Sequence, residues 1–246
     1  MNSIYYMKDI LNSFRSFCFV IQYNSFSVNS FFYNRLYYIF SLRKMQEEND
    51  KKKEILFFEK NTIRISKTQN EEYHMQCEIE NKNLILEKII DFDMMKLVYD
   101  LNMDIYEKTE LYKISDFEAD IFFIMKDLFP DLGIPQRFAY LKVEKTVEKD
   151  LFTKKTSKII FQSQFILDEN GEFKRPEHVA QNIYPLPFER MEIECIFLNE
   201  HKMHFSNKIK INQKKMKIPA FLEKMTSTII YKVFSRLKQF IENYTL

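Results

Sequence analysis

The sequence predicts an α+β fold in which an antiparallel sheet wraps around one long C-terminal helix. Apolar side chains recur at helical spacing between residues 219 and 244, a stretch with no Gly and with Pro only at its first position. Before it, between about residues 106 and 211, six segments with strand-like patterns follow one another. A sheet whose apolar face is covered by a terminal helix belongs to the α+β class.

The elements that precede this helix are predicted from their periodicity. Strands are expected at 62–68, 72–80, 106–114, 118–126, 137–148, 157–167, 189–198 and 202–211. Apolar and polar residues alternate in the last two, which indicates an antiparallel sheet with one face toward water. Asn83 is expected to cap a short helix, and 91–100 to form a second helical segment. A loop is expected at 168–171 and a tight turn at 200–201.

The C-terminal helix is predicted to begin at Pro219, because the N–H that proline lacks would have no partner in the first turn. One side of this helix is apolar over its whole length. The stripe consists of Phe221, Met225, Ile229, Val233, Leu237 and Ile241, widened by Leu222, Ile230, Phe234, Phe240 and Tyr244. We expect this stripe to face the sheet.

Composition excludes several classes of function. The two glycines, Gly133 and Gly171, are too isolated for a P-loop or a dinucleotide-binding turn. The three cysteines, Cys18, Cys77 and Cys195, have neither a disulfide pattern nor a zinc-ligand spacing, which indicates a reducing compartment. The formal charge is only +2, which argues against nucleic acid as a partner.

The 246 residues divide into three predicted regions. Residues 1–44 carry five basic residues against one acidic residue and are rich in Ser, Phe and Tyr, as in a mitochondrial transit peptide. The alternatives are a mistaken extension ahead of Met45 and a disordered tail. Residues 45–54 form a charged linker, and 55–246 form one domain with a sizeable core. No apolar stretch is long enough for a membrane span.

Three local patterns resemble the START (steroidogenic acute regulatory-related lipid transfer) superfamily, which has the helix-grip fold. Asp91 and Tyr99-Asp100 resemble an acidic residue followed by Trp-Asp in the short-helix region, with Tyr in place of Trp. The segment 135–143 resembles a strand that opens with Arg-Asp; Arg137 is present and Phe138 replaces the acid. The pair Ile218-Pro219 resembles the start of the gripping helix. The resemblance covers roughly residues 55–244.

This resemblance implies a curved sheet around an internal apolar cavity that the C-terminal helix closes and that holds one lipid. The residues alone favour a fully packed core, and only the resemblance favours a cavity. The candidate lining residues on the sheet are Ile121, Phe123, Leu141, Val143, Ile159, Phe161, Ile193, Phe197 and Phe205. Those on the helix are Phe221, Met225, Ile229, Val233 and Leu237.

Two polar residues share the inward parity of these strands. Arg137 is expected either to bind a headgroup such as phosphate, to pair with Asp120 or Glu107, or to be exposed where its strand begins. Asn207 is expected either to contact a ligand hydroxyl or headgroup, or to mark a bulge or a hydrogen bond near the strand end.

We find no catalytic constellation in the sequence, and we expect neither an enzyme nor a bound cofactor. His201 and His204 lie around a turn and without a third ligand nearby, so no metal site is predicted. The predicted function is to hold a phospholipid or sterol for transfer or sensing in the cytoplasm, or in mitochondria if 1–44 is a transit peptide. Partners would be the lipid and, transiently, a membrane surface; a protein partner is left open. The alternatives are a non-catalytic subunit with a filled cavity, and a cyclase-like or hydrolase-like enzyme of the same superfamily.

The membrane contact is expected on two segments near the cavity. The loop 129–134 carries apolar residues and is the candidate lip of the cavity. Lys214, Lys215 and Lys217 precede the helix and are expected either to sense anionic headgroups or, as the simpler explanation, to form a solvated turn.

Overall fold

The structure is a computed structural model that describes residues 54–68, 72–128, 130–186, 188–211 and 220–245. The predicted leader 1–44, the linker up to residue 53, Phe129 and the lysines between 212 and 219 lie outside these ranges. The strands of the described part are β1 (Ile55–Lys60), β2 (Ile63–Lys67), β3 (Glu72–Glu80), β4 (Tyr106–Lys113), β5 (Glu118–Met125), β6 (Arg137–Lys149), β7 (Thr156–Phe165), β8 (Tyr184–Pro185), β9 (Phe188–Asn199) and β10 (Lys202–Ile211). The α-helices are α1 (Phe92–Asp100) and α2 (Ala220–Asn243), and 3-10 turns occur at Leu86–Ile89 and Pro130–Leu132.

These strands form one sheet in the order β1-β2-β3-β10-β9-β7-β6-β5-β4. Each neighbouring pair along this order is antiparallel, and the short β8 runs parallel to the start of β6. Helix α2 lies against β1, β2, β3 and α1. The predicted α+β class, with a long terminal helix on an antiparallel sheet, is confirmed.

The main core lies between this sheet and the helices. Alternate residues of β3, β9 and β10 point into it, as the period-2 patterns predict. From α2 it receives Val233, Phe234, Leu237 and Ile241. Since Leu237 and Ile241 are each 1% exposed, the side of the helix that carries them is fully packed at this end.

Two local predictions are wrong. No strand is predicted at β1, which pairs with β2 through a turn in which Asn61 and Thr62 have φ angles of 51° and 64°. Such a turn normally carries Gly, so the sequence lacks the hairpin signal. Asn83 does not cap a helix; the Asn81 side chain instead accepts a hydrogen bond from the Asn83 N–H (2.8 Å).

A second, smaller apolar cluster lies on the other face of β5 and β6. Phe122, Ile124 and Phe138 are buried there beneath Val179 and Ile183 of the segment that precedes β8. That segment is held in place because the Arg175 guanidinium donates to the carbonyl oxygens of Ala180 and Ile183. Both faces of β5 are therefore covered.

Candidate functional site: an apolar cavity under the C-terminal helix

A cavity of about 300 Å³ lies between the sheet, α1 and α2, at the lower end of the range for small-molecule sites. The sheet and its connections contribute Tyr73, Ile105, Tyr106, Phe123, Met125, Lys126, Leu128, Ile134, Pro135, Arg137, Leu186, Met191, Ile193, Phe205, Asn207, Ile209 and Ile211. Helix α1 contributes Met94, Met95, Val98 and Tyr99, and α2 contributes Glu223, Thr226, Ile229, Ile230, Val233 and Phe234. Most of these side chains are apolar, so the cavity suits an apolar ligand.

Helix α1 forms one wall of the cavity and is capped by Asp91, the residue before it. The Asp91 side chain accepts a hydrogen bond from the Met94 N–H (3.0 Å) and so caps the helix. The ring of Tyr99 then lies 5.0 Å from that of Phe123 on β5. Burial raises the pKa of Tyr99, so its hydroxyl stays neutral beside the cavity.

The start of α2 is tied to the sheet by a buried polar cluster. Glu223 Oε1 accepts hydrogen bonds from Lys67 Nζ (2.7 Å) and from the Tyr73 hydroxyl (2.6 Å). The side chains of Lys67 and Glu223 are 9% and 13% exposed. Burial, together with the hydrogen bond to Glu223, raises the pKa of Tyr73. The cluster thus consists of a neutral donor and an ion pair at one end of the cavity.

Asn207 is a buried polar residue in the floor of the cavity. Its side chain lies on β10 opposite Met75 of β3 and Ile193 of β9, and the residue is 4% exposed. Within the described part of the chain, its Oδ1 has no hydrogen-bond partner. Buried polar atoms are usually paired, so this oxygen is an acceptor that the fold itself does not use.

Arg137 lines the cavity at the start of β6. Its guanidinium donates to the carbonyl oxygen of Pro185 (3.3 Å) and lies 5.7 Å from the centre of the Tyr184 ring. Burial lowers its pKa. The two acids expected as partners take other donors: Asp120 accepts from the Tyr140 hydroxyl, and Glu107 from Gln136.

The connection between β5 and β6, beside Arg137, contributes exposed residues to the wall of the cavity. Lys126 and Pro135 of this connection line the cavity and are exposed. Leu128 and Ile134 are half-buried beside them, and they belong to the segment around the predicted lip. A ligand in the cavity would therefore meet solvent first at this connection.

Seven of the predicted site residues lie together around the cavity. They are Phe123, Arg137, Ile193, Phe205, Asn207, Ile229 and Val233. Seven others belong to the core without lining the cavity: Ile121, Leu141, Val143, Ile159, Phe161, Phe197 and Leu237. The period-2 pattern predicts which face a strand residue occupies, but the cavity extends along only part of that face.

Only some residues of the apolar stripe of α2 line the cavity. Met225 is 42% exposed and points away from the cavity, and the side chain of Phe221 lies outside the described part. Residues four apart turn by about 40° relative to each other in an α-helix, so Met225 and Leu237 are about 120° apart. A stripe read at i, i+4 spacing therefore cannot face one surface along its whole length.

The lining residues that the sequence prediction missed include those of α1, Tyr73 and Glu223. The residues of α1 had a signal, since their apolar spacing is helical and Tyr99 was already matched to a family position. Tyr73 also had a sequence signal, because it alternates with the polar residues of β3 and so belongs to the inward face of that strand. Glu223 had no sequence signal, because a carboxylate in the first turn of a helix is expected to be solvated.

The described residues contain no metal-ligand cluster and no helix suited to crossing a membrane. Among them, no group of three or more His, Cys, Asp or Glu side chains is arranged to hold a metal ion. Neither of the described helices is long and apolar enough to cross a membrane. The imidazole of His201 lies 2.8 Å from the carbonyl oxygen of Leu84.

Solved structures of StAR-related lipid transfer proteins share this fold. The lipid transfer and protein localization domain of human StarD13 aligns with a TM-score of 0.54 at 10% identity, covering 82% of this chain and 97% of its own. Human StAR-related lipid transfer protein 5 aligns with a TM-score of 0.54 at 11% identity, covering 85% and 95%. A STAR-related lipid transfer protein fragment from Xanthomonas axonopodis aligns with a TM-score of 0.50 at 14% identity, covering 76% and 98%.

These alignments confirm the START-type helix-grip fold that the sequence patterns resembled. By sequence, the chain matches no known family model and no curated protein. The similarity of this chain to these proteins is therefore a similarity of fold.

Proposed function

We propose that this START-fold chain holds one lipid molecule, a phospholipid or a sterol, in the cavity under α2 and carries it between membranes. The observation that carries the proposal is the cavity of about 300 Å³ with mostly apolar walls. Burial of each methylene group of a ligand contributes about 0.8 kcal/mol. The lipid transfer proteins that share the fold support the same function.

In this proposal the lipid enters between the β5–β6 connection and the start of α2. The exposed Lys126 and the half-buried Arg137 line the cavity on that side, and their charge favours contact with anionic headgroups. Leu128 and Ile134 would contact the acyl region of the membrane. Opening needs only a local displacement, as in other proteins whose loops close over a ligand.

The same site favours binding over catalysis. Glu223 is the one carboxylate among the described lining residues, and its Oε1 is already held by Lys67 and Tyr73. A general base needs a free carboxylate or imidazole within reach of the substrate. We therefore propose sequestration of the lipid without chemical change.

The proposal is tested by native mass spectrometry of the full chain purified from cells, followed by lipid extraction and uptake from liposomes. We expect one bound lipid per chain and uptake of phospholipid or sterol. Purification without lipid, combined with no uptake of either, would overturn the proposal.

A matched pair of variants localises the binding. Ile229→Arg introduces a charge at a half-buried lining position, whereas Met225→Arg introduces the same charge one turn earlier at an exposed position. We expect the first variant to lose uptake and the second to retain it, with circular dichroism as the check on folding. Equal uptake by both variants would place the lipid elsewhere.

A further inference from the structure

Asn207 is surrounded by side chains that cannot use its amide. Its cross-strand neighbours are Met75 and Ile193, and the residues two positions away on the same face of β10 are Phe205 and Ile209. The amide therefore lies in an apolar floor, with Oδ1 unpaired among the described residues. An apolar side chain would pack there without leaving a polar atom unpaired.

The backbone geometry also does not explain why an asparagine occupies this position. The register of β10 is regular at Asn207, and its irregularities lie between Lys202 and Met203 and between Lys210 and Ile211. A bulge or a strand end would have explained an asparagine through local hydrogen bonds. Neither occurs at this position, so the strand geometry does not account for the amide.

The chemistry of the amide restricts that group. Asparagine offers a carbonyl acceptor and two N–H donors. A hydroxyl both donates and accepts, so it can pair with Oδ1. An ionised carboxylate and the oxygens of a phosphodiester only accept, and they would leave Oδ1 unpaired.

The charged groups around this end of the cavity also disfavour an anionic ligand group beside Asn207. Tyr73 lies opposite Ile209 in the register, and its hydroxyl donates to Glu223, so a carboxylate lies near the Asn207 end. The cation of this cluster, Lys67, already donates to Glu223. Lys126, just after β5, and Arg137, at the start of β6, line the cavity on the other side of β9 and β7 in the sheet. An anionic group beside Asn207 would be buried without a new partner.

We infer that Asn207 selects lipids that carry a neutral hydroxyl group and holds that hydroxyl in the cavity floor. This inference rests on the proposed function and narrows its ligand class. A sterol and a long-chain alcohol share the required chemistry, and the experiment separates them.

The experiment measures equilibrium transfer of labelled probes from phosphatidylcholine vesicles to the full chain. One pair of probes is cholesterol and cholestene, which lacks the hydroxyl; the other is hexadecanol and hexadecanoate. We expect a preference of about tenfold or more for the hydroxyl-bearing member of at least one pair. The pair that shows it identifies a sterol or a single-chain ligand.

Asn207→Leu should abolish this preference while leaving uptake of the hydroxyl-free probe intact. The control is Met191→Leu, a change between apolar side chains that also line the cavity, and it should keep the preference. In the absence of ligand, Asn207→Leu should raise the melting temperature, because it removes a buried unpaired oxygen. If Asn207→Leu does not fold, Asn207→Ser, which shortens the polar side chain, should reduce the preference.

The outcomes separate the inference from the proposed function. A wild-type protein without preference in either pair, or a folded Asn207→Leu that keeps the preference, overturns the inference. Uptake of phospholipid with none of the four probes also overturns it and leaves the proposed function intact. Binding of no lipid at all overturns both.

Discussion

The two halves of α2 belong to the same helix, but their surroundings differ. In the N-terminal half, residues 220–234, six side chains line the cavity. In the C-terminal half, residues 235–243, Leu237 and Ile241 are packed in the core at 1% exposure. The Asn81 side chain holds this half by donating to the carbonyl oxygens of Ile241 (2.6 Å) and Tyr244 (2.8 Å).

The two halves of α2 are therefore held to the rest of the domain in different ways. The packed half anchors α2 to the sheet through apolar contacts, which separate only when the core opens. The other half covers a cavity, and its described polar attachment to the sheet near the start of the helix is the contact of Glu223 with Lys67 and Tyr73. A helix anchored at one end and held at the other by a few polar contacts can open locally while the domain remains folded.

The largest expected effect is the loss of an anchoring side chain. Leu237→Ala should lower the free energy of unfolding by about 2–5 kcal/mol, because it creates a void in the core. Urea denaturation measures this. The control, Ile229→Ala, already borders a cavity and should lower it clearly less. Equal losses would mean that the two halves are packed equally.

A smaller effect is expected from the hydrogen bonds that hold the end of α2. Asn81→Ala leaves the carbonyl groups of Ile241 and Tyr244 without this donor, and should cost about 1–3 kcal/mol in thermal unfolding. Asn83→Ala removes an exposed side chain two residues away and should change the melting temperature little. If Asn83→Ala is the more harmful change, Asn83 acts as the cap after all.

The polar contact of the N-terminal half should govern exchange more than stability. Glu223→Gln removes the charge that holds Lys67 and Tyr73, and lipid release should become about tenfold faster, equivalent to about 1.4 kcal/mol. Stopped-flow transfer to acceptor vesicles measures the rate, with the exposed Lys224→Gln as the control. An unchanged rate would show that α2 does not move at this end during exchange.

The smallest expected effect is at Cys77, under the C-terminal half. Burial raises the pKa of its thiol to about 12, with Lys238 and Glu242 of that half as secondary influences. Iodoacetamide at pH 8 should leave Cys77 unmodified in the native protein, even during lipid exchange, and modify it in urea; peptide mass spectrometry reads this out. Labelling that accelerates during exchange would mean that the whole helix lifts.

The same pKa gives a pH dependence of stability. The folded-state pKa lies above the ordinary value of 9.0, so the folded state retains the proton longer than the unfolded state. The contribution of Cys77 to stability is therefore complete below about pH 9 and is lost as the pH rises toward 12.

Much of the fold could be predicted because periodicity is a local property. The strand patterns of β3, β9 and β10 and the helical spacing of α2 follow from which residues alternate and which recur. The missed β1 has a local cause as well, since its turn uses Asn61 and Thr62 in a conformation that glycine usually adopts.

The site was only partly predictable. The alternation along a strand predicts which face a residue occupies, but it does not predict which residues lie opposite it. Phe205 and Leu141 are both inward-facing and buried, yet Phe205 borders the cavity and Leu141 is packed in the core. Met225 and Ile229 follow each other in the same stripe, yet only Ile229 faces the cavity. These differences depend on which surface each side chain meets, and that surface comes from distant parts of the chain.

The sequence by itself determined the α+β class, the order of the elements and the inward faces of the strands, because these depend on neighbours a few residues apart. Only the tertiary structure decided where α2 packs and where it leaves a space. It also brought Lys67 and Tyr73 together with Glu223, which lies 156 and 150 residues further along the chain, and left Asn207 Oδ1 without a partner among the described residues. The physical reason is that a void and an unpaired atom are defined by the groups around them, and these groups meet only when the chain has folded.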